Sequence, residues 1–482
     1  MKRIFVFVKR HFIFLSVFFL ALLLRSFKLD TLTTFGGDQG MDFIVVRDMV
    51  LYHKWTLLGI KTSISPFFQG PLYLYILFPF FVFLRLDPLA GAIGAITISM
   101  STLILIYLTG RKYFSKKVAL FSSALFAGSP EFIMYGNTPL YQHFLPLFIV
   151  LAVYLFLSRK KFPLNTFLLG VTIGLGIELH LLNVTLGLAI LAYFILFSKN
   201  KTKNSVWLLG GIVVGLLPTI IFELRHQFLN TRLFLNFVDT KDTSFSIFNI
   251  LKQWTEGASM FLGGDNRIFG TILLVSIMGF LLLKSQTREE GKELRRLLLL
   301  TLFFITILSL KFSAFAPHYI LPFWVISVFL IPLMVEQIVP KQVAFAVMVI
   351  IIGVNLYGSL GQLNNNHGYT MPDGLTMKKI TLSGKIIAED SKNHSNFNVA
   401  SLLDGNTRDY PLRYTVLFNN AVPEQVDKYP VNNFLYITAR SNKQDLYKTK
   451  TWEIVSFSPF NIGKKWNLGD NIYLYRLDRL SP

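Results

Sequence analysis

Residues 1–42 read MKRIFVFVKRHFIFLSVFFLALLLRSFKLDTLTTFGGDQGMD. A basic start, with Lys2, Arg3, Lys9 and Arg10, runs into an apolar stretch at about 12–27, near the length that crosses a bilayer as a helix. No small-residue cleavage site follows, so the stretch reads as an uncleaved first transmembrane helix and not as a signal peptide. By the positive-inside bias the N-terminus is cytoplasmic, and the patch Phe35-Gly36-Gly37-Asp38-Gln39-Gly40-Met41-Asp42 is delivered to the outside. Crossing a bilayer does not require a carboxylate pair on a glycine-rich turn. Its presence at the membrane surface points to chemistry there.

The rest of the chain repeats the opening pattern. Over half of the 482 residues (52%) are apolar, 47 of them phenylalanine, in long runs separated by short basic loops. That is a polytopic α-helical membrane protein. The net charge of +20 lies mostly in those loops, which fits the positive-inside bias and not a nucleic-acid partner. With no cysteine, disulfides, thiolate metal sites and cysteine nucleophiles are excluded.

Basic clusters orient the spans. Arg111-Lys112 with Lys116-Lys117, Arg159-Lys160-Lys161, Lys199-Lys201-Lys203 and the stretch 284–296 are expected to be cytoplasmic. Between them fall spans near 89–109, 118–136, 139–157, 164–179, 180–198, 206–224, 268–284, 297–312, 318–338 and 343–360. With the first helix that makes about eleven. Residues 71–86 are apolar enough to span, but a crossing there would put Arg111 and Lys117 outside. They are therefore expected to form an outer-surface or re-entrant element.

Residues 1–360 thus form the membrane module, with outer loops at 28–88 and 226–267. In the first loop, Phe43, Val46, Met49 and Val50 recur at helical spacing over 42–54, so this stretch is expected to lie in the membrane interface. Asp38 could be the N-cap of that helix, with Asp42 in its first turn. The tail, 361–482, is polar, with apolar stretches at 398–403, 434–438, 452–456 and 471–475 and helical patterns at 375–389 and 409–418. It reads as a small extracytoplasmic α/β domain.

Several motifs then fall in an ordered series: the Asp38-Gln39-Gly40-Met41-Asp42 patch, Gly70-Pro71-Leu72-Tyr73, Asn137-Thr138-Pro139 with Pro146, Gly174 to His180, and His318-Tyr319-Ile320-Leu321-Pro322. Together, over about residues 1–340, they resemble the GT-C superfamily of membrane glycosyltransferases. The similar branch holds protein O-mannosyltransferases and the lipid A aminoarabinose transferase (glycosyltransferase family 39). The resemblance implies a GT-C fold, a polyprenyl-phosphate-linked sugar donor, an active site at the outer face of the cell membrane and a catalytic acid in the first outer loop. Asp38 matches that acid. Protein mannosyltransferases carry Asp-Glu there, whereas this chain has Asp38-Gln39 and a second acid only at Asp42. The aminoarabinose type has another acid in the next outer loop, where this chain has Tyr141-Gln142-His143. No cofactor is assigned, and a divalent metal stays an open possibility. The tryptophan-rich acidic signature of oligosaccharyltransferases is absent.

The chemistry assigns roles. Sugar transfer from a lipid phosphate needs a base for the acceptor hydroxyl or amine, and a carboxylate serves. The leaving phosphate needs hydrogen-bond donors or cations. Asp38 and Asp42 are the catalytic candidates. Gln39, Tyr73, His143, Glu178, His180, His318 and Tyr319 are the candidates for holding substrate, His180 beside Glu178 because ionisable groups at membrane depth are costly and tend to be functional. The plainer alternatives are packing histidines and interfacial tyrosine anchors. The acceptor is a protein, a lipid or a glycan. A transporter or flippase of lipid-linked sugars is the rival reading. It would place its charges near mid-membrane in pseudo-symmetric halves, and the acids here lie in an outer loop. A non-catalytic lipid-phosphate-binding protein is the third.

Overall fold

The computed structural model describes residues 2–61, 67–159, 164–240, 246–283, 288–311, 316–440 and 446–480; Lys160, Lys161 and Lys284 of the basic loops lie outside them. Helix α1 (Lys2–Ser26) is continuous, and its Phe12, Phe19 and Leu23 are exposed as a lipid-facing surface requires. The turn α2 (Leu29–Leu32) leads to α3 (Gly37–Tyr52) and then α4 (Leu72–Phe83). At ~1.5 Å per residue, α4 is roughly 18 Å long, short of the ~30 Å hydrocarbon core.

Helix α5 (Leu89–Tyr113) follows, then α6 (Lys116–Gly128), α7 (Pro130–Tyr135), α8 (Tyr141–Ser158), α9 (Leu164–Leu179) and α10 (Val184–Phe197). The single span expected at 118–136 is broken. Pro130 disfavours helical geometry at the preceding residue, and Ser129 is extended (φ −74°, ψ 129°). The break frees backbone carbonyls, and the fully buried Arg25 takes them up. Its guanidinium donates to Phe126 O (3.2 Å), Ala127 O (3.2 Å) and Phe132 O (3.1 Å), and to Ser99 Oγ (2.8 Å).

The second half of the bundle runs through α11 (Lys201–Gly215), α12 (Leu217–Arg225), α13 (Leu229–Thr240), α14 (Ile247–Leu262), α15 (Arg267–Leu283), α16 (Glu289–Lys311), α17 (Leu321–Ile338) and α18 (Lys341–Gln362). The expected span 206–224 also breaks, with α11 and α12 bent by 68° where Pro218 opens α12. The outer loop expected at 226–267 contains α13 and α14 and not irregular chain, and α14 meets α15 at 101°. Among the described residues four helices are long and apolar enough to cross a membrane, six if each bent pair is one span; shorter apolar helices accompany them. The chain is a multi-pass membrane protein. Helix α17 is central, with 89% of its apolar stretch buried. Helices α9 and α11 approach through Gly170 and Gly174 on one and Gly211 and Gly215 on the other. A Cβ at Gly170 would lie 2.1 Å from Leu208 O, so only glycine permits this contact.

The tail contains α19 (Met377–Asp390), β1 (Phe397–Ser401), α20 (Tyr410–Phe418), β2 (Phe434–Arg440), α21 (Trp452–Val455), β3 (Phe460–Gly469) and β4 (Ile472–Arg479). The sheet order is β1-β2-β4-β3, with β1 and β2 parallel and the other pairs antiparallel. Two sequence expectations differ. Residues 452–456 form a helical turn and not a strand, with Glu453 turned inward to accept from Thr407 (2.9 Å). Strand β3, an exposed edge carrying Lys464 and Lys465, lacks the apolar alternation that would announce it.

The apolar stripe of α3 is covered by protein and not laid in the membrane interface. Phe43, Val46 and Met49 are fully buried. The Phe43 ring lies 4.8 Å from Phe81 of α4 and 5.4 Å from Tyr414 of α20. Tyr414 donates to Leu86 O (2.6 Å). A Cβ at Gly40 would meet the Pro411 nitrogen at 2.3 Å, so α20 sits directly on α3.

Candidate functional site

The segment before α3 is tied on two sides. Thr33 donates to Asn137 O (3.1 Å), Thr34 N–H to Thr138 Oγ1 (3.3 Å), and Tyr369 N–H donates to Leu32 O (3.0 Å). The cap of α3 is Gly36, and Gln39 closes it, its Oε1 accepting from Gly36 N–H at 3.0 Å. Asp38 is therefore not the cap but the second residue of the helix, and Gln39, 4% exposed, closes the cap with its Oε1. Asp42 lies a turn beyond Asp38.

The two carboxylates sit in opposite environments. Asp38 is exposed and makes no hydrogen bond or ion pair among the described residues. Burial of its surroundings raises its carboxyl above the usual value. Asp42 is 0% exposed, and neither of its oxygens has a hydrogen-bond partner. Its carboxyl is pushed well above the usual range by burial, with the nearby charge of Asp38 adding to the effect. The Tyr73 hydroxyl, also buried and unpartnered, feels both acids. Tyr73 is fixed edge-on against Phe144 at 5.2 Å. Buried polar atoms are nearly always paired, so the unpaired carboxylate and phenol single this pocket out as a candidate site.

Tyr141, which sequence reasoning passed over, links this pair to the histidines. It lies within the field of Asp38 and stacks on His180 with ring centroids 5.7 Å apart. His318 lies 5.7 Å and Tyr319 6.0 Å from His180, and 4.6 Å from each other. His180 Nδ1 accepts from Leu182 N–H (3.2 Å), so its proton sits on Nε2, leaving that nitrogen a donor. Asp38, Asp42, Tyr73, His180, His318 and Tyr319 therefore gather into one cluster around Tyr141.

Two candidates stand apart in role. His143 is bonded through Nδ1 to Thr138 O (2.8 Å) and stacked on Tyr135 at 3.9 Å. Glu178, 2% exposed, accepts from Thr219 N–H (3.3 Å) through Oε1, and its Oε2 has no partner. A Cβ at Gly70 would lie 1.7 Å from that Oε2, so Gly70 exists to let the carboxyl approach. Arg267 is 59% exposed and faces Glu256 (3.7 Å). No three His, Asp or Glu side chains converge as metal ligands among the described residues.

Residues 69–222 match the family described as dolichyl-phosphate-mannose-protein mannosyltransferase. A search of curated protein sequences finds no match. Solved structures match over nearly the whole chain. ArnT from Cupriavidus metallidurans bound to undecaprenyl phosphate is similar with a TM-score of 0.58 at 11% identity, covering 97% of this chain and 98% of that one. Its apo form gives 0.59 at 12% identity, covering 99% and 98%. The Archaeoglobus fulgidus oligosaccharyltransferase in its apo form gives 0.52 at 13% identity, covering 88% and 69%. The chain shares the fold of these proteins, the GT-C fold.

Proposed function

We propose that the protein transfers a single sugar from a polyprenyl-phosphate donor to an acceptor outside the cytoplasm, inverting the anomeric configuration. The observation that carries this reading is the exposed, unpaired Asp38 beside the buried Asp42, with the tyrosine and histidine cluster adjoining. The match to glycosyltransferase folds, one of them bound to undecaprenyl phosphate, supports it.

Asp38 takes the proton of the acceptor hydroxyl or amine as that atom attacks the anomeric carbon. The bond from that carbon to the phosphate oxygen breaks, and the polyprenyl phosphate leaves with the electron pair. His180, through Nε2–H, and His318 are placed to donate to the phosphate oxygens. Asp42 is a positioning residue that keeps a neutral carboxyl under the site, and Tyr141 and Tyr319 supply ring faces for a sugar. The tail, 361–482, is an accessory outer domain that holds α3 and shapes access for the acceptor.

The test is transfer by purified protein given radiolabelled polyprenyl-phosphate sugars, hexosyl and pentosyl, with a cell-envelope extract as acceptor. Label moving to acceptor with release of polyprenyl phosphate is the expected result. Saturable donor binding with no transfer from any donor would favour a transport or non-catalytic role.

A further inference from the structure

A second cluster lies at the opposite end of α1 and α5 from Asp38. Arg10 and Asp38 are separated by most of α1, whose 17 residues from Arg10 to Ser26 rise about 24 Å. Here a cavity of about 420 Å³ opens between α1, α5 and α8. Arg10, Arg111 and Lys112 line it with His11, and no acid is among its lining residues. No carboxylate among the described residues pairs with any of the three cations.

Two of the three cations are held and not loose. Lys112 Nζ donates to Tyr154 Oη (2.7 Å) and lies 4.1 Å from the centre of that ring. Arg111 donates to Tyr107 Oη (3.3 Å), and His11 Nδ1 contacts the same hydroxyl at 2.9 Å. Tyr107 is 3% exposed and stacks on Phe14 at 3.9 Å, so the hub is rigid. Donors fixed in advance around a cavity lose little entropy on meeting an anion. The rim is apolar: Leu108 of the lining is 50% exposed, and Phe12 and Ile13, just beyond on α1, are 64% and 57% exposed. Surplus positive charge beside exposed hydrocarbon matches a phosphate group with acyl chains attached.

We propose that this cavity binds the phosphate headgroup of an anionic membrane lipid, in the leaflet opposite the catalytic cluster. Arg10, Arg111 and Lys112 take the phosphate oxygens, and the chains lie along Leu108, Phe12 and Ile13. The site is separate from the one proposed for sugar transfer and does not depend on it.

The experiment is native mass spectrometry of the full-length protein, titrated with phosphatidylglycerol or phosphatidylcholine. The wild type should retain one phosphatidylglycerol at least about tenfold more strongly than phosphatidylcholine. Millimolar inorganic phosphate should not displace it. The double variant Arg111→Gln, Lys112→Gln should lose that preference, and Lys112→Arg should keep it. Equal retention of the two lipids by the wild type overturns the proposal, whatever the variants do. So does an unchanged preference in the double variant. Displacement by inorganic phosphate alone would instead mark a site for soluble anions.

Discussion

Replacing Asp42 by asparagine isolates the least ordinary group in the molecule. Its carboxyl is fully buried, without a hydrogen bond, and held well above its unfolded value of about 3.9. The folded chain therefore binds a proton that the unfolded chain has released. The stability this group contributes is fully present below about pH 3.9 and is lost as pH rises through the folded value. Within that window the loss is about 1.4 kcal/mol per pH unit. Asparagine has the same shape and no proton to lose, so this slope disappears. Asp409 in the tail, pushed up to about 7 by burial, adds a slope of the same sign up to that pH. Asp409→Asn serves as a control because asparagine also caps helices and accepts the left-handed backbone found there (φ 45°). Thermal unfolding of the detergent-solubilised protein from pH 4 to pH 8 reads both slopes. Asp42→Asn should melt close to the wild type at pH 4 and higher than it at pH 7, while keeping transfer activity within about tenfold, since Asp42 positions and does not take the proton. Identical slopes in wild type and Asp42→Asn would refute the reasoning.

Further outcomes follow from particular contacts. Gly70→Ala must push Glu178 aside and should cost roughly 1–3 kcal/mol in stability, seen as a lower melting temperature. Arg25→Met removes the donor to the Phe126 and Ala127 carbonyls at the α6–α7 break and should cost about 3 kcal/mol or more, or prevent stable insertion. Tyr141→Phe keeps the ring face and its stack on His180 and should leave folding and transfer close to the wild type, whereas Tyr141→Ala should slow transfer by about tenfold. Gly40→Ala should loosen the tail from α3, measured as faster proteolytic release of the tail.

Much of this was legible in the residues because hydrophobic runs and basic loops act locally. The helices at 89–113, 141–158 and 341–362 stand close to where the apolar runs placed them. The breaks at Pro130 and Pro218 were readable signals, yet each sits inside an apolar run whose continuity outweighs one residue in a hydropathy reading. Asp38 and Asp42 stood out by contrast with their surroundings, but their unequal burial depends on α20, some 370 residues away, closing over α3. The same long-range contact is why the apolar stripe of α3 resembled an interfacial helix. The capping contact of Gln39 was not legible because the cap it closes, Gly36, has no side chain to reveal it. Tyr141 was missed because a tyrosine at a helix start is an ordinary interfacial anchor, and only its contact with His180 distinguishes it. Strand β3, with Lys464 and Lys465 on an exposed edge, carries no burial pattern.

The most direct measurement is the transfer rate of Asp38→Asn beside the wild type, with whichever polyprenyl-phosphate sugar the wild type accepts. Loss of the general base should lower kcat by about 10²–10⁴ with KM for the donor little changed, in a variant that inserts and melts like the wild type. Undiminished turnover by that variant would contradict the assignment of the chemistry to Asp38.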